Sequence, residues 1–516
     1  LTTRQWDYCE LELSGPSDGN PFVDVSVGAV FTLDEHRLDV PGFYDGDGVY
    51  RIRFMPPHPG RWQYETHSNA DELAGKTGRV ECLPAGAGVH GMVRVHNTFH
   101  FAYSDGTPYR QIGTTCYAWT HQGDELEERT LDTLRQSAFN KVRMCVFPKY
   151  YAFNRNEPPR YPFEGTPPNR WDTTRFDPDY FRHFEHRIAQ LRDMGIEADV
   201  ILFHPYDEGH WGFDRMDAAS DDRYLRYAIA RLSAFRNVWW SLANEFDFMK
   251  EKVPADWDRY AAILVDQDPY DHLRSIHNGR LIYDQNQPWV THASIQNGSA
   301  VEDFGRAILY RDTYRKPVVF DEVKYEGDIP QRWGDISAQE MVHRFWQGTI
   351  AGTYVGHSET YVRPDEVLWW SKGGVLHGQS PARLHFLRQV MESSPPEGLE
   401  PIDKWQDLRT VGKPGEYYLV YFGHEAPTSW TFELPRAGLA AGMRFGVEIL
   451  DTWNMTVTPV DEVFEVAIDG VYRYGSVGRK AITLPGVPFV ALRLRRVEGN
   501  AATHSSHAPR IYGEGD

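Results

Sequence analysis

Residues 178 to 207 read PDYFRHFEHRIAQLRDMGIEADVILFHPYD, a helical pattern that passes into a strand with hardly a turn between them. Phe181, Phe184, Ile188 and Leu191 recur at helical spacing, with Asp177 at the N-cap, Pro178 in the first turn and Gly195 at the end. IEADVILF then supplies an apolar run suited to a strand covered on both faces. An abrupt αβ junction of this kind means parallel strands with helices packed outside them. The rhythm recurs from about residue 95 to residue 390. Strand candidates are TPYRQIGTTCYAWT, FNKVRMCVFP, IEADVILFHPYD, VWWSLANEFD, and stretches near RSIHNG, PWVTHASIQNG, PVVFDEVKYEG and GTYVGHSETY. Eight strands in about 260 residues is the size of a (β/α)8 TIM barrel. A doubly wound sheet is the alternative, but GTTCYAWT after the first strand is not the GxGxxG turn of that fold.

The flanks carry no helical period. Residues 1–88 alternate as short strands, FVDVSVGAVFTL and PGFYDGDGVYRIRFMPP among them, with Gly and Asp at the turns, and read as an immunoglobulin-like β-sandwich. LPAGAGVHG is a linker to the barrel at 95–390. Residues 395–500 read as a second β-sandwich and 501–516 as a polar tail.

The polar residues of such a barrel matter most at the C-terminal ends of its strands, where active sites form. Strand 4 ends in Asn244 and Glu245, and strand 7 in Asp321 and Glu322. Arg143 lies within strand 2, His204 and Asp207 end strand 3, His292 is on strand 6, and His357 and Glu359 are on strand 8. An acidic residue after a strand often only caps the next helix. Two such residues on strands across the barrel from each other, the first preceded by Asn, suit the cleavage of a glycosidic bond. That reaction needs one carboxyl to protonate the leaving oxygen and another to act at the anomeric carbon.

These strand ends, ANE and FDE, resemble the acid/base and nucleophile sites of retaining glycoside hydrolases of clan A, of which family 5 is the familiar member. The resemblance implies Glu245 as acid/base, Glu322 as nucleophile, Asn244 on the sugar 2-hydroxyl and Arg143 keeping the nucleophile ionised. His204 and His292 would line the sugar site. Two positions depart from family 5. Ser294 stands where a tyrosine touches the nucleophile, and GHSETY lacks the strand-8 tryptophan, which Trp369 or Trp370 could replace. The full layout, with MPPHPGRWQY and ILFHPYD, resembles bacterial proteins with an N-terminal domain of unknown function 5060, a glycoside-hydrolase-like barrel and a C-terminal domain of unknown function 5605.

Further sugar contacts are expected from Tyr117 and Trp119 after strand 1, from Asp207 and Trp211 in HPYDEGHWGF, and from Glu359 and Trp369. Rings at strand ends serve equally as packing under loops. HPYDEGH matches no standard metal pattern, so neither metal nor other cofactor is expected. A serine hydrolase lacks its GxSxG. A non-catalytic carbohydrate-binding protein, an inverting hydrolase and a transglycosylase remain alternatives.

Charge narrows the partners. With 54 basic and 73 acidic residues the formal net charge is -19, which opposes nucleic acid and anionic membrane surfaces. No run of about 18 apolar residues is present. The four cysteines, Cys9, Cys82, Cys116 and Cys145, are too sparse for a disulfide scaffold. No basic region followed by an apolar segment opens the sequence, so a cytoplasmic location is expected, although a cleaved leader would leave no trace. The expected partner is a short carbohydrate; self-association is left open.

Overall fold

The computed structural model describes residues 1–296 and 304–497. The sequon Asn297-Gly298-Ser299 and the polar tail fall outside the described residues. The centre is the expected barrel. Its strands are β1 (Gly113–Thr115), β2 (Lys141–Cys145), β3 (Glu197–Phe203), β4 (Val238–Ala243), β5 (Arg274–Ser275), β6 (Ala293–Gln296), β7 (Val318–Glu322) and β8 (Tyr354–His357). They pair in the order β5-β4-β3-β2-β1-β8-β7-β6, and a parallel bridge between His277 and Ser294 joins the two ends.

The covering helices are α1 (Asp124–Arg135), α2 (Pro178–Asp193), α3 (Ala218–Leu232), α4 (Pro254–Gln267), α5 (Phe304–Tyr314), α6 (Ala338–Ile350) and α7 (Ser380–Glu392). At α2 the Asp177 carboxylate accepts the Asp179 N–H at 2.9 Å, and Gly195 past the end has φ +71°, a conformation glycine adopts freely. Residues 276–292 join β5 to β6 through turns without a helix.

One strand candidate divides. In residues 107–120, Pro108–Tyr109 pairs with His100–Tyr103 in a three-stranded sheet, and only Gly113–Thr115 enters the barrel. The reason is Asn140, whose side chain accepts the Ile112 N–H and donates to the Arg110 carbonyl, both at 2.8 Å, so an amide replaces a strand neighbour there. The small sheet plugs the barrel floor. Phe101 packs on Trp239 and Tyr354, with ring centroids 5.0 and 5.1 Å apart.

Above this plug the barrel interior is charged. Lys141 on β2 lies 2.7 Å from Asp199 on β3 and 2.9 Å from Asp321 on β7, and all three are buried. Such groups are tolerated in the interior only when paired. Gly356 on β8 lets the neighbouring strand approach: a Cβ there would stand 2.6 Å from the Asp321 carbonyl oxygen.

Both flanks are β-sandwiches. In the first, residues 36–44 form one strand whose start pairs with Val27–Leu33 and whose end, from Gly42, pairs with Val49–Phe54. The chain thereby changes layer around a core where Phe31 stacks on Phe54 at 3.8 Å and Trp62 meets Phe54 edge-on. This domain sits on α2 and α3 through a buried ion cluster. Arg231 bonds Asp45 at 2.8 Å and also Glu185, while Arg53 reaches Glu185 at 2.9 Å. The C-terminal sandwich packs instead on α5 and α6, where Tyr421 stacks on Trp346 and its hydroxyl lies 3.0 Å from His343 Nδ1. Among the described residues no helix is long and apolar enough to cross a membrane.

Candidate active site

Strand β4 is buried along its whole length, and its polar end is a change of backbone direction. Glu245 has φ 49° and ψ 53°, a left-handed conformation that is uncommon for a residue with a Cβ. The turn is held from outside. Phe246 N–H donates to the His277 carbonyl at 3.0 Å, and the Asp247 carboxylate accepts the N–H groups of Gly279, Arg280 and Leu281 at 2.5, 2.7 and 2.9 Å. A strained conformation fixed this firmly aims one side chain, and it is characteristic of functional sites.

Glu322, at the end of β7, faces donors. Tyr117, just beyond β1, donates its hydroxyl to Glu322 Oε1. His277 Nε2 lies 3.6 Å and Arg143 Nη1 3.8 Å from the same oxygen. Burial alone would push this carboxyl up, but His277, Arg143 and the Tyr117 hydroxyl outweigh it and bring the pKa down to about 2. Behind His277 runs a chain of contacts. Its Nδ1 is 2.9 Å from Ser294 Oγ, and Ser294 donates at 2.5 Å to Asp321. Asp321 is itself held far below the usual carboxylate range, because Lys141, Arg143 and His277 outweigh its burial.

Glu245 is placed oppositely. Burial, then the charge of Glu322, raise its pKa to about 7, against opposing contacts from Tyr206, Lys149 and Gln296. Tyr206 donates its hydroxyl to Glu245 Oε2, and Asn244 Nδ2 reaches the same oxygen at 3.3 Å. Asn244 Oδ1 in turn accepts from Arg143 at 3.1 Å and lies 3.2 Å from the Tyr117 oxygen, whose one proton goes to Glu322. One amide and the Arg143 guanidinium therefore connect the two carboxylates.

The two glutamates open into a cavity of about 740 Å³ whose wall includes Tyr151, Phe153, Tyr325, Trp333 and Trp370. That volume lies within the range of ligand sites. Tyr117 also lines it, whereas Asn244 and Arg143 lie just beneath, in contact with the carboxylates.

The other expected sugar contacts are not on the cavity wall, and each has a visible structural task. His204 is buried with Nε2 3.1 Å from the Phe147 carbonyl, and its Nδ1 accepts the Tyr206 N–H. Asp207 accepts the N–H groups of Trp211 and Phe213, both at 2.6 Å, and so shapes its own loop. Trp211 is buried and donates to Glu157. His292 lies on the barrel floor against Phe101 and Trp239, because it precedes β6 rather than ending it. Trp119 is buried in a short 3-10 helix after β1.

Glu359 accepts the N–H groups of His377 and Gly378 beside Glu326, which accepts those of Gln379 and Ser380. Trp369 turns inward to donate to Thr114 Oγ1 at 2.9 Å, and its neighbour Trp370 reaches the cavity. Ser294, the departure from the family 5 pattern, bonds Asp321 and His277, while the phenol on Glu322 comes from Tyr117. Tyr206, His277, Gln296, Lys149 and Trp333 belong to the site beyond the residues the sequence pattern marks. Tyr206 stands between two residues that were chosen, and His277 ends the fifth strand by the same rule that selected the others.

Known proteins give a consistent picture. A family model described as "Apiosidase-like, catalytic domain" matches residues 95–389, with a domain of unknown function, DUF5060, at 2–69 and another, DUF5605, at 405–495. A crystal structure from Bacteroides vulgatus ATCC 8482, described as a candidate glycoside hydrolase, is 43% identical, covers 96% of this chain and 100% of its own, and superposes with a TM-score of 0.94. A glycoside hydrolase family 5 structure from the same organism is 15% identical, covers 79% of this chain and 93% of its own, and has a TM-score of 0.56. At that identity the likeness concerns the fold. No curated protein matches the chain.

Proposed function

Because the chain belongs to the family of apiosidase-like catalytic domains and is a glycoside hydrolase, we propose that it cleaves its glycosidic bond with retention, by double displacement. Glu322 attacks the anomeric carbon while Glu245 protonates the leaving oxygen. Glu245 then draws a proton from the water that releases the sugar. The observation that carries this reading is the contrast between two glutamates of one cavity. Glu322 is ionised under Tyr117, His277 and Arg143, and Glu245 keeps its proton to about pH 7. Pairs whose surroundings push their pKa values apart divide the acid and nucleophile roles in this way.

The substrate is a short oligosaccharide or a terminal sugar. The cavity of about 740 Å³ holds only a few sugar rings, and its aromatic wall offers apolar faces to them. Because the family is described as apiosidase-like, apiose is the first sugar to try. Following the resemblance to clan A enzymes, we assign Asn244, the neighbour of Glu245 at the end of β4, to the 2-hydroxyl of the sugar being cut.

A panel of aryl α- and β-glycosides, pyranosides and furanosides with a β-apiofuranoside among them, tests the reading and identifies the sugar. Wild type is run beside Glu322→Gly, with and without azide. Release of nitrophenol lost in the variant and restored by azide, giving a glycosyl azide of inverted anomer, supports Glu322 as nucleophile. Full activity in Glu322→Gly without azide removes it from that role.

A further inference from the structure

Lys149 is fully buried at the cavity, and its Nζ has no hydrogen-bond partner. Four aromatic rings surround it instead. Nζ lies 3.6 Å from the ring centroid of Tyr117, 4.1 Å from Tyr206, 4.7 Å from Tyr151 and 5.5 Å from Trp370. Ring faces hold a cation by their quadrupoles without fixing it to one anion. Two of these four are the phenols that bond the carboxylates: Tyr117 to Glu322 and Tyr206 to Glu245. The main chain is fixed as well, since Asn154 donates to the Lys149 carbonyl at 2.9 Å. Burial lowers the pKa only to about 8, and the ammonium persists at neutral pH.

Resting on the double-displacement reading, we infer that Lys149 is a positioning residue for the second half of the reaction, the counter-charge for Glu245 once that carboxyl has given up its proton. In the first step Glu322 Oε forms a bond to the anomeric carbon. The bond from that carbon to the leaving oxygen breaks, and its electron pair takes the proton of Glu245. The negative charge of the site has then moved from Glu322, now a neutral ester, to Glu245. Arg143 and His277 serve the first location and lie on the Glu322 side. Among the described residues lining the cavity the fully buried cation is Lys149, and its cage includes Tyr206, the phenol on Glu245, as well as Tyr117, the phenol on Glu322. In the second step water bonds to the anomeric carbon and its proton goes to Glu245. The ester bond breaks, and its electron pair returns to Glu322. A cation caged by rings can attend both locations, because no hydrogen bond ties it to either.

The test is burst kinetics with the 2,4-dinitrophenyl glycoside of whichever sugar the aryl panel identifies, so that glycosylation is fast and the second step limits turnover. Lys149→Met is compared with Lys149→Arg and wild type, and the glycosyl-enzyme is followed by intact mass. The expected result for Lys149→Met is a burst of full amplitude, which also shows that the sites are folded. Its steady-state kcat at neutral pH falls about tenfold or more, because without the ammonium Glu245 in the glycosyl-enzyme holds its proton and cannot act as base. KM falls with it, and the glycosyl-enzyme accumulates. Lys149→Arg retains kcat to within about threefold. If burst and steady state slow by equal factors, or neither changes, the inference is overturned. If wild type and variants alike form no adduct and no burst, the double-displacement reading fails, and this inference with it.

Discussion

Asn244 shows how much one side chain can decide. Its amide oxygen accepts from Arg143, which also faces Glu322, and its amide nitrogen reaches Glu245. Glu245 and Glu322 were legible in the sequence because a carboxylate ending an apolar strand is conspicuous. Lys149 was not, since nothing in a sequence marks a lysine as caged by rings from four separate segments. The opposed pKa values give a pH profile with a definite sign. kcat/KM is expected to fall as pH rises through about 7, where Glu245 loses the proton it must donate, and to persist far into acid, where Glu322 stays ionised to about 2. The two limbs belong to the coupled pair. In Glu322→Gln the neighbouring negative charge is gone, so the Glu245 carboxyl is expected to titrate at lower pH than in wild type, as read by carbon-13 NMR. An unchanged or higher value would show that Glu322 does not contribute. Ser294→Ala breaks the link from Asp321 to His277. kcat/KM is expected to fall by about tenfold or more, with its acid limb moving upward as Glu322 loses support. A profile that falls evenly at all pH values would contradict that role.

The elements were legible wherever local rules and tertiary packing agreed. Helix α2 has its Asp177 cap and terminal Gly195, and β3 follows it at once. The first strand is shorter than its local pattern predicts because the Asn140 side chain satisfies the backbone between two separate strands, a long-range bond that local pattern cannot reveal. His292 lies lower in the barrel than its pattern predicts, for a related reason. β6 is only four residues long, and its start and end differ by the depth of the barrel. Between α2, α3 and the first sandwich, Glu185 joins Arg53 and Arg231 in a buried cluster. Removing one member leaves charges without partners, so Glu185→Ala is expected to destabilise by about 3–5 kcal/mol in urea unfolding, with KM unchanged in the folded enzyme. A cost below about 1 kcal/mol would mean that the cluster is solvated.

Across the whole molecule the parts divide by task. Every described residue lining the cavity belongs to the barrel, while the sandwiches sit on opposite helix pairs, the first on α2 and α3 and the second on α5 and α6. The three-part layout could be read from the sequence because the hydrophobic period changes twice along it. Where the sandwiches dock could not, since the docking surfaces are ion pairs and rings contributed singly by distant segments. The chemistry of the cavity comes down to whether the sugar passes through a bond to Glu322. The most direct measurement is proton NMR of the hydrolysis mixture in its first minutes, before mutarotation, with the aryl glycoside identified by the panel. The expected first product is the sugar with the same anomeric configuration as the substrate. A first product of opposite configuration would mean direct attack by water, and would contradict Glu322 as nucleophile.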